Sequence, residues 1–316
     1  MIIVSSARIK EDLQNRLMKN HPDCTFHFHK RMSDALGDLV EADILITYGE
    51  DVTAEILRQA ARLKWIMVIS AGLDRMPFPA IKEKGIIVTN ARGIHKIPMA
   101  EYTFAAILQW CKRTQEWRDH QERRIWKKYG IQMSELAGKT MMVVGTGAIG
   151  GEIARLAKAF RMNVLGVNRS GRLVEYFDHI YKTDKLAEAM GTADIVVSVL
   201  PYTPETDRLI GRQHFEAMPE SSLFINIGRG KTVDQEALLN VLKTGKISAV
   251  LDVFEEEPLP ADHPFWAMDN VTVTPHFSAI TSQYQPRAMA IFEENLKRFK
   301  EHRSDLINFI DLDRGY

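Results

Sequence analysis

Short apolar runs alternate with helical apolar spacing along most of this 316-residue chain. Runs at 2–4, 25–28, 44–47, 65–69 and 86–88 have strand length, and 9–17 and 54–63 carry apolar positions three or four apart. That alternation predicts a parallel, doubly wound domain. A second series runs from 139 to about 275, with runs at 141–144, 163–167, 195–200, 223–227, 248–253 and 271–274, and predicts six more parallel strands. Two long helical patterns bracket it. One spans 99 to about 118, opened by Pro98, with Phe104, Leu108 and Cys111 on one face. The other spans 284–302, with Met289, Phe292, Leu296 and Phe299 in one stripe. The expectation is an α/β chain of two doubly wound parallel-sheet domains: a discontinuous one, 1–99 and 288–316, and a second, 100–287, joined by two hinge helices.

Composition narrows this little but usefully. Apolar residues make up 45%, enough for two cores, and 41 basic residues balance 41 acidic ones. A general nucleic-acid binder would be basic, so no nucleic-acid partner is expected. Cys24 and Cys111 give no disulfide framework and point to a reducing compartment. The apolar run at the N-terminus is too short for a signal peptide, and no segment has the length of a membrane span. A cytoplasmic location is therefore expected. Arg123, Arg124, Lys127 and Lys128 surround Trp126 in the polar stretch 118–139, either a solvated face or a subunit-contact arm. Cys24, His27 and His29 lack a fourth partner, so no metal is expected. Trp110 and Cys111 read as packing residues.

Candidate chemistry begins at 141–160. The apolar run 141–144 leads into Gly145, Thr146, Gly147, Ala148, Ile149 and Gly150, and then into a helical pattern of Ile149, Ile153, Leu156 and Phe160. Strand, G-x-G-x-x-G and helix in that order form the dinucleotide fingerprint. The glycines permit a tight turn, close approach of a pyrophosphate, and close helix–strand packing. The helix start would face the phosphates. At the end of the next predicted strand, an acid would bind the ribose of NAD. This chain has Asn168, then Arg169, Ser170 and Arg172, a set that suits the extra phosphate of NADP and favours it over NAD. Arg229, Glu257 and His276 each follow a predicted strand, and in open α/β sheets ligands bind at the carboxyl ends of strands. An arginine fork can grip a carboxylate. A histidine can give a proton to a ketone oxygen as hydride arrives at the carbon, with a carboxylate to orient the ring. That set suits reduction of a 2-keto acid.

The chain resembles the D-isomer-specific 2-hydroxyacid dehydrogenases, the family of glyoxylate/hydroxypyruvate reductases, D-lactate dehydrogenases and phosphoglycerate dehydrogenase. The matching stretches are SAGLD (70–74), VTNARGIHKIPMAEY (88–102), the fingerprint, LPYTPET (200–206), INIGRG (225–230), LDVFEEEPLP (251–260), HPFW (263–266) and TPHFSA (274–279). The resemblance implies a flavodoxin-like substrate domain, a Rossmann cofactor domain and a homodimer built across the latter, with domain closure around the substrate. It implies a catalytic set of Arg229, Glu257 and His276, and a substrate carboxylate held by Arg229, by His276 nearby and by the backbone of Ala71 and Gly72. It assigns Asp252 to the nicotinamide amide, Leu200 and Pro201 to the adenine pocket and Thr206 to the phosphates, with Ile227, Gly228 and His276 also in the cofactor set. Many NAD-using members carry Asp in place of Asn168, which agrees with the charge argument. The expected activity is hydride transfer between NAD(P)H and a small 2-keto acid such as glyoxylate or hydroxypyruvate. The alternatives are a phosphoglycerate dehydrogenase-like enzyme and a corepressor-like, NAD(P)-sensing interaction protein.

Overall fold

A computed structural model describes residues 1–70, 73 and 75–312. The chain forms two compact units, 1–94 with 281–316 and 95–280. Their seams fall a few residues before the 99/100 and 287/288 boundaries expected from the pattern.

The first unit is built on five parallel strands, β1 (Ile2–Ser5), β2 (Thr25–Phe28), β3 (Ile44–Thr47), β4 (Trp65–Val68) and β5 (Ile87–Asn90), in the order β2-β1-β3-β4-β5. That is the flavodoxin-like order. Successive side chains of a strand point to opposite faces, and both faces here are covered. Leu45, Ile66 and Val68 enter one core; Ile44, Ile46, Trp65 and Met67 enter the other. The helix Tyr284–Lys300 closes the second core with Ala288, Met289, Phe292 and Leu296, and Phe292 stacks on Trp65 at 5.4 Å.

The second unit carries β6 (Thr140–Val144), β7 (Asn163–Asn168), β8 (His179–Lys182), β9 (Ile195–Ser198), β10 (Ser222–Asn226), β11 (Ile247–Leu251) and β12 (Val271–Val273). Their order is β12-β11-β10-β9-β6-β7-β8, all parallel, the Rossmann arrangement extended by one strand. This corrects the expectation of six strands. The extra one, β8, is an edge strand of sequence HIYK with only Ile180 buried, so it carries no continuous apolar run. The long helix expected over 99–118 is also corrected. It is two helices, Lys96–Cys111 and Thr114–Glu122, separated where Arg113 turns left-handed at φ 53°. Among the described residues no helix is long and apolar enough to cross a membrane.

Strand register sets the working edge of this sheet. Val144 pairs with Val167 and Ser198, Asn226 with Ser198 and Leu251, and Leu251 with Val273. The loops that begin at Gly145, Arg169, Val199, Ile227, Asp252 and Thr274 therefore all leave from one edge. The chain reverses its winding between β6 and β9, which puts the topological switch point between the loops after these two strands.

Candidate active site

The glycine turn has the shape of a dinucleotide cradle. Gly145 sits at φ 106°, a conformation that L side chains rarely adopt. A Cβ at Gly150 would lie 2.1 Å from the Gly145 carbonyl oxygen, so helix and turn meet only because position 150 has no side chain. A Cβ at Gly147 would meet nothing within 4 Å, so the backbone there faces open space. Gly147 is the N-cap of the 12-residue helix Ala148–Ala159 and supplies no side chain to its first-turn N–H groups. An open backbone at an uncapped helix start fits a pyrophosphate. Thr146, Ala148 and Ile149 lie in the same turn, with Ile149 packed against the core below.

Asn168 ends β7 and organises the loop after it. Its Oδ1 accepts the Ser170 N–H at 3.1 Å, the Gly171 N–H at 2.7 Å and the Ser170 hydroxyl at 3.2 Å. Its Nδ2 donates to Thr146 Oγ1 at 3.0 Å and to the Arg172 carbonyl at 3.1 Å. The amide thus ties the loop to the glycine turn and leaves Arg169 exposed. Across from it, Thr206 Oγ1 accepts the Thr203 N–H at 2.7 Å and donates to the Pro201 carbonyl at 2.8 Å, so its hydroxyl knits the Leu200–Pro201 turn. The Glu205 carboxyl is held below its usual range by the Thr203 hydroxyl first, then by its own N–H, and in part by Arg169. Arg169 is therefore within electrostatic reach of that turn.

Arg229 is exposed between two glycines that cannot be replaced without moving backbone. A Cβ at Gly228 would lie 2.5 Å from the Leu200 carbonyl oxygen; one at Gly230 would lie 1.9 Å from the Phe254 carbonyl. Thr232 Oγ1 donates to the Arg229 carbonyl at 2.7 Å, and the guanidinium Nη1 donates to the Gly228 carbonyl at 2.8 Å. Ile227 is buried in the core, so only its backbone faces the loop edge. The Gly230 contact presses this loop on the segment that carries Glu257, whose Oε1 accepts the Phe254 N–H at 3.0 Å. The other oxygen, Oε2, lies 2.7 Å from His276 Nδ1. Arg229, Glu257 and His276 are thus linked through one continuous set of loop contacts.

His276 holds a left-handed backbone, φ 52°, rare for a residue with a side chain. Its N–H donates to the Asp252 carbonyl at 2.9 Å. Asp252 is fully buried. Its Oδ1 accepts from Thr274 Oγ1 at 2.6 Å and the Phe277 N–H at 3.0 Å, and its Oδ2 from the Ser278 N–H at 3.0 Å. Tyr102 Oη lies 2.7 Å from Thr274 Oγ1, a contact that no sequence motif signalled. His95, at the start of helix Lys96–Cys111, has its pKa lowered by burial and then by the Arg229 charge, so the ring is within electrostatic reach of that guanidinium.

Ala71 and Gly72 lie outside the described residues. His27 and His29 pair with the Asp38 carboxylate at 3.1 and 2.8 Å.

The profile of the D-isomer specific 2-hydroxyacid dehydrogenase NAD binding domain matches residues 104–278. The chain is 35% identical over 268 residues to a D-3-phosphoglycerate dehydrogenase of Methanocaldococcus jannaschii, covering 84% of this chain but only 51% of that protein. It therefore spans about half the length of that relative. It is 34% identical over 271 residues to a glyoxylate reductase of Aeropyrum pernix, covering 83% of this chain and 81% of that one. A crystal structure of a D-isomer specific 2-hydroxyacid dehydrogenase family protein from Aeromonas salmonicida subsp. salmonicida superposes with a TM-score of 0.86 at 35% identity, covering 99% of both chains. With the fingerprint, the sheet order and the joined glutamate and histidine in agreement, this chain belongs to the D-isomer specific 2-hydroxyacid dehydrogenase family, whose members are NAD(P)-dependent oxidoreductases.

Proposed function

We propose that this chain reduces small 2-keto acids, glyoxylate and hydroxypyruvate foremost, and that it prefers NADPH to NADH. The observation that carries the reading is the His276–Glu257 pair, joined through Gly230 to the Arg229 loop on the same sheet edge as the glycine turn. Glu257 accepts at Nδ1, so that nitrogen carries a hydrogen and Nε2 is the atom left to exchange a proton with substrate. Arg229 grips the substrate carboxylate with its planar fork. His276 gives its Nε2 proton to the keto oxygen, and the charge left on the product oxygen is neutralised. Glu257, anchored by the Phe254 N–H, keeps the ring from rotating. A bound nicotinamide cofactor would supply the hydride, held by the 145–150 turn and the 168–172 loop. Asn168 in place of an acid, with Arg169 and Arg172 nearby, supports the NADPH preference.

We also assign the chain as a homodimer, supported by the apolar residues exposed around Trp126. The free thiols of Cys24 and Cys111 support a cytoplasmic location.

The test is a panel of glyoxylate, hydroxypyruvate, pyruvate and 3-phosphohydroxypyruvate, each with NADPH and NADH, followed by loss of absorbance of the reduced cofactor. Fastest turnover of glyoxylate or hydroxypyruvate with NADPH is expected. Dominant turnover of the phosphorylated substrate would instead favour the second reading, phosphoglycerate dehydrogenase chemistry, which the 35% identity to such an enzyme supports. Tight cofactor binding with no turnover of any keto acid would favour a sensor.

A further inference from the structure

We infer that Tyr102 is a positioning residue for the proton-transfer histidine, acting through Thr274 and Asp252; the inference rests on His276 serving as the acid proposed above. Tyr102 lies on the helix Lys96–Cys111, 172 positions before Thr274, and belongs to none of the loops that leave the sheet edge. Its hydroxyl meets Thr274 Oγ1 at 2.7 Å, and Thr274 Oγ1 meets Asp252 Oδ1 at 2.6 Å. The direction of these bonds follows from counting protons. The Asp252 carboxylate already accepts the N–H groups of Phe277 and Ser278, so the single threonine hydroxyl proton goes to Asp252. The first bond is then Tyr102 O–H donating to Thr274. Burial pushes the Tyr102 phenol up to about 12, so it keeps its proton and remains a donor.

The ring adds a second grip. Tyr102 meets Phe277 edge to face, with centroids 5.9 Å apart and planes at 86°. It therefore holds the residue two before His276 by its hydroxyl and the residue after it by its ring. That matters because His276 sits in a left-handed conformation that a side-chain-bearing residue adopts only when its surroundings over-determine it. Asp252 binds this turn from inside the sheet, through the N–H groups of His276, Phe277 and Ser278. Tyr102 fixes the Asp252–Thr274 pair from the helix side. Without the phenol, Thr274 Oγ1 loses this donor, and the carboxylate that carries the turn is free to settle differently. The Nε2 atom would then be misplaced at the moment of transfer, a fault that affects turnover more than binding.

The experiment uses the full-length chain as Tyr102→Phe, Thr274→Val, the double variant and His276→Ala. Each is assayed for kcat and KM with the best keto acid of the panel, for NADPH affinity by cofactor fluorescence, and for Tm. Tyr102→Phe should lower kcat about tenfold, with KM and NADPH affinity within about twofold of wild type. The double variant should be no slower than Thr274→Val alone, because both changes cut one chain of bonds. An unchanged kcat in Tyr102→Phe overturns the inference. So does a fall in kcat matched by losses in KM, NADPH affinity and Tm, which would mark general packing, and so do independent, additive effects. An active His276→Ala, or a wild-type chain that reduces no keto acid, sinks the acid assignment and this inference with it. An inactive His276→Ala beside an unimpaired Tyr102→Phe sinks this inference alone.

Discussion

The imidazole of His276 stands on the carboxylate of Glu257, Nδ1 to Oε2 at 2.7 Å, while the second carboxylate oxygen is taken by the Phe254 N–H at 3.0 Å. Both oxygens must accept. Glu257→Gln preserves shape but turns one of them into a donor, so either the Phe254 N–H or the His276 Nδ1–H then faces another N–H. Rotating the amide only moves the conflict. The ring loses its fixed tautomer, and kcat should fall about 100-fold or more, as when the orienting acid of a catalytic histidine is made an amide. Cofactor affinity should stay near wild type, since the glycine turn is untouched. Steady-state assays beside a fluorescence titration with NADPH check both halves; turnover within about fivefold of wild type would remove Glu257 from its role.

Asn168 offers a test of cofactor choice that the structure makes sharper than charge alone. Its Nδ2 donates to the Arg172 carbonyl, which a carboxylate at the same place would repel. Asn168→Asp therefore loosens the 168–172 loop and adds a negative charge where the extra phosphate of NADPH is expected. The ratio of kcat/KM for NADPH over NADH should drop by about tenfold or more. A ratio that does not move would mean that the phosphate sits elsewhere.

Two glycines separate folding from binding. Gly230 lies against the Phe254 carbonyl, and Gly230→Ala would place Cβ 1.9 Å from it. Backbone, not a flexible side chain, is in the way, so the change should cost about 3 kcal/mol or more of stability and also disturb the Arg229 loop. Gly147→Ala meets nothing within 4 Å, and its φ of −77° suits alanine. Its Tm should match wild type while NADPH affinity falls about tenfold, because the methyl group fills the approach to the helix start. Thermal melts and cofactor titrations of both variants decide the matter; a Gly147→Ala protein that binds NADPH normally would place the pyrophosphate away from this turn.

The legible parts of this molecule are those where one residue type alone satisfies a steric or periodic demand. The fingerprint is one, since Gly145 and Gly150 have no substitutes. The buried strands are another, because a parallel sheet covered on both faces must be apolar throughout. What escaped has the opposite character. Strand β8 is a half-exposed edge and shows no apolar run. The break at Arg113 carries neither glycine nor proline, so local sequence could not mark it. Asp252 is recognisable by its motif, yet the three hydrogen bonds that its carboxylate accepts come from residues 22 to 26 positions away. Tyr102 is farther still from its partner, and a tyrosine within an apolar helix reads only as packing.

Stability should vary with pH through His214. This side chain is buried at the start of the helix Arg212–Ala217, and its Nδ1 accepts the Gly211 N–H at 3.1 Å. Burial lowers its pKa below the ordinary histidine value. A proton on Nδ1 would also face that N–H, so the folded chain favours the neutral ring more than the unfolded one does. In the unfolded chain the ring takes a proton near its ordinary pKa of about 6.5. The unfolded state thus binds more protons than the folded one as pH falls through that value, and His214's contribution, intact above it, is lost below. Tm should decline between about pH 7 and pH 5. His214→Gln keeps an acceptor for Gly211 but cannot titrate, and its decline should be shallower, the remainder reflecting His21 and His95, which burial also lowers. Identical slopes would show that His214 takes no part.

Trp126 is 99% exposed, with Tyr129 at 76%, Met133 at 53% and Ile125 at 45% close in sequence. A single exposed apolar side chain is ordinary, but this many within nine positions is a surface that water does not favour. Tryptophan and tyrosine are also the residues that most often anchor protein interfaces. A second copy of the chain is the expected cover. The protein should behave in solution as twice its 36.0 kDa mass. Trp126→Asp would place a charge at the centre of that surface and should yield a monomer whose circular dichroism is unchanged. Light scattering after size exclusion measures the mass directly. A wild-type monomer at micromolar concentration, or an Asp variant that remains dimeric, would show that this segment is not the subunit contact.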